Sequence, residues 1–253
     1  MTPLLEVDIK NYYVVCLDIM GFESILKHGD YKIANIAYRD FEHTVKKVIT
    51  YKCINETTCF IVIGDSLYFI CEQLETALYV VRSFGIRCIN TARALFKGRL
   101  KYKTPFMIRG GISFGPILLY SPNADSDAFI LEQSYYPFNA IGLPIKRAYL
   151  LSEKPKGIRV AIDKESVNIE DYRKYFYKRY DLCKGDRYCE FLWPLWIFEE
   201  QKKRYIQESL EAFWDLYEKN RGKKHEKHYS STLALLWKSI DKIPKCLVSC
   251  QFN

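Results

Sequence analysis

The chain has 253 residues, 49% of them hydrophobic, and a net charge of +8. That length and apolar content allow a sizeable core, as one large domain or a domain with an appendage. No run reaches the ~18 apolar residues that cross a bilayer, and the opening MTPLLEVDIK lacks the basic head and apolar stretch of a signal peptide. A cytoplasmic protein with no membrane partner is therefore expected.

Residues 12–18 (YYVVCLD) are apolar and β-branched, the pattern of a fully buried strand. Met20-Gly21-Phe22 then turn the chain into a helical stretch. A second helix over about 31–51 carries Ile33, Ile36, Ala37, Phe41, Val45 and Val48 on one face. TTCFIVIGDSLYFICE places two short apolar runs around Gly64-Asp65-Ser66 and predicts a β-hairpin with a tight turn. A long helix follows at 74–97, with Leu74, Leu78, Val81, Ile89, Ala92 and Leu95 in register. FMIRGGISFGPILLYS is expected to be a strand pair, its glycines marking bends or close backbone approach. A loop (121–137), a helix near 142–153 and a last strand, GIRVAID, complete the pattern.

The order is β-α-β-β-α-β, which predicts an α+β, ferredoxin-like sheet with antiparallel strands and helices packed on one face. This unit is placed at residues 10–170. Residues 171–253 are aromatic and basic, then helical (about 199–220 and 229–242), and are expected to form a C-terminal helical extension.

Nine cysteines form an odd set without a CxxC pair, most of them in apolar elements such as those holding Cys16, Cys59, Cys71 and Cys88. Reduced core thiols fit them better than a disulfide framework or a zinc site. The positive charge, much of it in KNRGKKHEKH (219–228), fits a solvated loop better than a nucleic-acid contact. The lysines beside His225 and His228 oppose a metal role for that HxxH spacing. Twenty tyrosines are scattered, with no RNP-like strand, and are expected as core and interface filler.

Asp18 and Asp65 each end an apolar strand and are about 45–50 residues apart, an arrangement suited to two divalent cations and a triphosphate. Taken singly, Asp18 also fits a helix N-cap, Asp65 a hairpin turn and Arg109 an exposed strand charge. Four segments in order resemble the class III nucleotidyl cyclase catalytic domain, over roughly residues 10–165. LDIMGFESIL is similar to that family's first metal motif and IGDSLYF to its second. MIRGGISFGPILL resembles its Arg-x-Gly-Ile-x-x-Gly segment, and NAIGLPIKRAYLLSE its Gly-x-x-Val-Asn-x-Ala-x-Arg-Leu helix.

The resemblance implies that Asp18 and Asp65, with the Ile19 carbonyl, hold two Mg²⁺ or Mn²⁺ ions. It implies that Gly21 and Phe22 open a helix facing phosphate oxygens and that Arg109 approaches the phosphates. The family's purine-reading lysine and acidic residue align with Ile61 and Asn139. Its transition-state asparagine and arginine align with Lys146 and Leu150. A purine edge thus loses its expected partners, which is worth roughly 1–3 kcal/mol for a buried one. With both metal aspartates kept, and Lys146 supplying positive charge, the chain resembles the pyrimidine cyclases of bacterial Pycsar anti-phage defence. The expected substrate is UTP or CTP, with UTP slightly favoured, and Tyr51 and Phe60 are further pocket candidates. The alternatives are an ATP or GTP cyclase, or an inactive nucleotide-binding scaffold of the same fold. The resemblance also implies a homodimer with composite active sites and a separate effector that reads the cyclic nucleotide.

Overall fold

A computed structural model describes residues 9–50, 59–100, 106–120, 139–154, 156–163, 175–178, 188–199 and 201–243. The first half runs β1 (Ile9–Ile19), α1 (Phe22–Lys27), α2 (Tyr31–Thr50), β2 (Cys59–Ile63), β3 (Ser66–Cys71), α3 (Leu74–Phe96) and β4 (Ile108–Tyr120). Then come β5 (Asn139–Ile141), α4 (Leu143–Glu153), β6 (Val160–Asp163), β7 (Phe176–Lys178) and β8 (Tyr188–Phe191), followed by α5 (Trp193–Glu199), α6 (Lys203–Asn220) and α7 (Glu226–Asp241).

The strands form one sheet in the order β2-β3-β1-β4-β6-β8-β7, with β5 paired to β4. Its first four members, β2-β3-β1-β4, are the ferredoxin-like antiparallel sheet expected from the element order. β6 then adds in parallel to β4, as a strand returning through the α4 crossover must.

Two expectations are corrected. FMIRGGISFGPILLYS is not a strand pair: residues 108–120 run as the single strand β4, antiparallel to the whole of β1. Gly111 acts there through close approach. A Cβ on it would collide with the Ala148 carbonyl oxygen and meet the Leu151 Cβ at 2.6 Å, so its missing side chain lets α4 lie directly on the strand. Nor are the helices confined to one face. Alternate residues of β1 divide between two cores, Val15, Leu17 and Ile19 packing toward α3, and Tyr12, Val14 and Cys16 packing toward Ala148 of α4. A strand as apolar as YYVVCL needs cover on both sides, and α4 supplies the second.

The aromatic segment at 172–198 supplies strands as well as packing. β8 pairs with β6, and Trp193, fully buried, donates its indole N–H to the Ile158 carbonyl at 3.0 Å. Helices α5, α6 and α7 share the α3-side core through Leu195, Phe198, Phe213 and Leu236. Cys16, Cys71, Cys88 and Cys189 are buried thiols outside any disulfide, and burial pushes the Cys88 thiol up to about 12. Among the described residues no helix is long and apolar enough to cross a membrane.

Glu208 clamps α6 onto α3. It accepts from Lys97 at 2.7 Å, from Arg93 and from Arg204 at 3.0 Å, and these donors lower its carboxyl to about 2. A depressed carboxyl stabilises the fold above its unfolded pKa and loses that contribution as pH falls through the folded value. Glu208→Gln is therefore predicted to lower the unfolding temperature at pH 7, with the gap closing as pH drops from about 4.5 toward 2. Thermal melts at several pH values test this, and a gap independent of pH contradicts it.

Candidate functional site

The face of the sheet that carries α4 gathers most of the expected site. Asp18 lies at the end of β1, opposite Ser66 of β3 on one side and Arg109 of β4 on the other. Period-2 alternation puts all three side chains on that face, next to one another. The Ser66 hydroxyl donates to Asp18 Oδ1 at 3.2 Å, and Arg109 Nε donates to Oδ2 at 2.9 Å. Arg109 Nη2 also reaches Glu153 Oε1, in the last residue of α4, at 2.5 Å. The sequence reading did not single out Ser66 or Glu153. Ser66 was legible in principle, as the first strand residue after the turn that holds Asp65.

Asp65 occupies the two-residue turn between β2 and β3, where Gly64 takes φ +60 in the left-handed region. The turn is tied to the end of β1 by the Ile19 N–H, which donates to the Asp65 carbonyl at 3.0 Å. One residue on, the Met20 N–H donates to the Met107 carbonyl at 2.9 Å, so β1 ends braced on both sides. The Asp65 carboxyl is pushed upward, first by burial and second by the negative charge of Asp18, with Arg109 opposing. Two strand-end carboxylates therefore share one electrostatic environment. Paired acceptor-only oxygens, one of them lifted by the other's charge, form a donor set that suits a hard divalent cation. Among the described residues there is no cluster of three or more His, Cys, Asp or Glu with metal-holding geometry.

Gly21, with φ +77, precedes α1, and Phe22 is its first residue. That helix has only six residues. Lys146, Tyr149 and Leu150 are exposed on α4. Ile61 lines a groove of about 680 Å³ with Ile63, Tyr68, Ile70, Leu118, Ala140, Ile141 and Ile145. Asn139 opens β5 opposite Tyr120, directly before the groove residues Ala140 and Ile141. Of the two positions aligned with purine recognition, Ile61 lines this groove, and Asn139 is the neighbour in sequence of the lining residue Ala140. Phe60 pairs with Phe69 on β2–β3, and Tyr51 lies outside the described residues. His228 Nδ1 accepts from the Gly157 N–H at 3.4 Å, and burial lowers the pKa of its ring.

This is the fold of nucleotide cyclase catalytic domains. The solved structure of the guanylyl cyclase Cya2 is similar to it with a TM-score of 0.51 and 13% identity, over 73% of this chain and 92% of that one. The adenylyl cyclase CyaB from P. aeruginosa is similar with a TM-score of 0.52 and 15% identity, over 74% of this chain and 96% of that one. No protein-family model and no curated protein matches the chain.

Proposed function

We propose that the chain is a metal-dependent nucleotidyl cyclase. It converts a pyrimidine nucleoside triphosphate, UTP or CTP with UTP favoured, to the 3′,5′-cyclic monophosphate and pyrophosphate. Its place is that of a second-messenger synthase in anti-phage defence, its product read by a separate effector. The observation that carries the reading is the pair Asp18 and Asp65, brought together by β1 and the β2–β3 turn, with Arg109 across from Asp18 on the same sheet face.

In the reaction the ribose 3′-oxygen forms a bond to the α-phosphorus, the bond from that phosphorus to the β-bridging oxygen breaks and pyrophosphate departs, and the hydroxyl proton passes to solvent water. Asp18, Asp65 and the Ile19 carbonyl are the groups that would hold Mg²⁺ or Mn²⁺. Bound there, two such ions would supply acidity to the 3′-hydroxyl and would neutralise triphosphate charge. Arg109 pairs phosphate oxygens through its planar fork. Lys146 adds positive charge near the leaving pyrophosphate. The groove with Ile61 takes the base, and its apolar walls offer a purine edge neither the lysine nor the acidic partner of the resembled family. Asn139 carries both a donor and an acceptor and can read either pyrimidine.

A homodimer fits the same surface. Ile63 and Ile141 line the groove yet are 62% and 67% exposed, and Leu143 of α4 is 66% exposed. Exposed apolar side chains gathered around a site are the mark of an interface.

A purine substrate is the second reading, favoured by the guanylyl and adenylyl cyclases that share the fold. One assay separates the two. Purified protein is incubated with UTP, CTP, ATP and GTP separately, with Mn²⁺ or Mg²⁺, and cyclic monophosphates are quantified by mass spectrometry with Asp65→Ala as the blank. A cyclic pyrimidine that disappears in the variant is expected. A cyclic purine would transfer the assignment to ATP or GTP, and no product with any nucleotide would leave a scaffold without turnover.

A further inference from the structure

Both carboxylate oxygens of Asp18 are engaged, Oδ1 by Ser66 and Oδ2 by Arg109. A carboxylate held this way must give up at least part of one partnership before it can ligate a cation. Ser66 can do so by rotating a neutral hydroxyl. Arg109 carries a full charge and keeps only 23% of its side chain exposed, so parting it from its counter-ion without a replacement is costly.

Glu153 is that replacement. Its Oε1 lies 2.5 Å from Arg109 Nη2, the opposite end of the guanidinium from the Nε that meets Asp18. At 45% exposure it is more accessible to water than Asp18 at 16%. It is also the final residue of α4, where the negative end of the helix dipole adds to the attraction for a cation.

We propose that Glu153 is a positioning residue: it retains Arg109 beside the site while Asp18 exchanges the guanidinium for a divalent cation. This rests on the reading of Asp18 and Asp65 as cation ligands given above. Glu153 acts only through Arg109, and it contacts neither the nucleotide nor the reacting atoms. Without it, Asp18 becomes the one carboxylate paired with Arg109 among the described residues, and the cation has to compete with a tighter ion pair.

The test is Mn²⁺ binding without nucleotide, read from the electron paramagnetic resonance signal of free Mn²⁺. It compares wild type, Asp65→Ala, Glu153→Gln, Arg109→Gln and the double variant Arg109→Gln/Glu153→Gln, each checked for a cooperative melt. Glu153→Gln is expected to weaken Mn²⁺ about fivefold, the scale of one partly exposed ion pair. In the Arg109→Gln background the same change should shift affinity less than about twofold, because the competitor is gone. Glu153→Asp should recover part of the lost affinity. Equal weakening in both backgrounds would make Glu153 a bare negative charge near the metal and overturn the proposal. So would a Glu153→Gln affinity equal to wild type. Wild-type Mn²⁺ binding that does not depend on Asp65 would instead remove the cation-site reading itself, and the proposal with it.

Discussion

An Asp65→Ala chain and a Lys146→Ala chain, each nearly inactive alone, should together recover about a quarter of wild-type turnover once their subunits exchange at equal amounts. The number follows from composite sites. If metals come from one subunit and Lys146 from the other, half of the randomised dimers pair one variant with the other. Each such mixed dimer has one site carrying both lesions and one carrying neither. Separately, each variant should lose on the order of 10²-fold or more in rate, the scale of removing one group that stabilises developing charge.

The expectation of a trans site rests on where Lys146 stands on α4. Glu153 at the end of this helix reaches Arg109 beside Asp18, whereas Lys146 lies seven residues earlier, roughly 10 Å back along the axis. Lys146 is exposed there. Turnover measured on differently tagged chains, with mixed dimers isolated through both tags, decides the matter. Mixed dimers that form but stay inactive would place both residues in the same site of one subunit.

Much of this arrangement was legible in the residues, and what was missed has identifiable physical causes. The β2–β3 hairpin could be read because Gly64-Asp65 between two apolar runs is strong local turn chemistry. Helices α2 and α3 could be read from their 3.6-residue stripes, and Phe41, Val45, Leu78, Val81 and Ile89 are indeed buried. The glycines of β4 misled, because a glycine that admits a helix and a glycine that turns a chain look identical in sequence. Gly111 is of the first kind, its partner Ala148 lying 37 residues away. Cover on both faces was implied by the unbroken apolar run of β1, but not which helix supplied it. β7 and β8 were hidden because short strands rich in tyrosine and charge carry little periodicity. Glu153 was beyond reach for a different reason: its importance is a contact with Arg109 across 44 positions, and nothing in LLSEKP marks that glutamate as special.

Glu190→Ala should destabilise the fold by about 3–5 kcal/mol, enough to lower the unfolding temperature by on the order of 10 °C. Glu190 of β8 and Arg159, which leads into β6, are 3% and 6% exposed, and they meet through two parallel hydrogen bonds, one of them Arg159 Nη2 to Glu190 Oε2 at 2.6 Å. Removing the carboxylate leaves a guanidinium buried without a counter-charge, and that orphaned charge, not the loss of a favourable pair, is the larger part of the expected effect.

The distinction can be measured. Replacing both partners by apolar side chains of similar bulk, Arg159→Met with Glu190→Leu, removes the orphan and should bring stability back to wild type or above it, as buried pairs repay their desolvation poorly. Urea midpoints at constant m-value compare the two variants, and a Glu190→Ala chain within about 1 kcal/mol of wild type would contradict the account. Turnover of the double variant adds a second reading. The Arg159 carbonyl accepts the Gly110 N–H at 3.0 Å, so this pair stands where β6 joins the strand that carries Arg109. If the double variant is stable but slow, the ion pair fixes the alignment of β4 beneath the site, a task that apolar packing of equal strength does not perform.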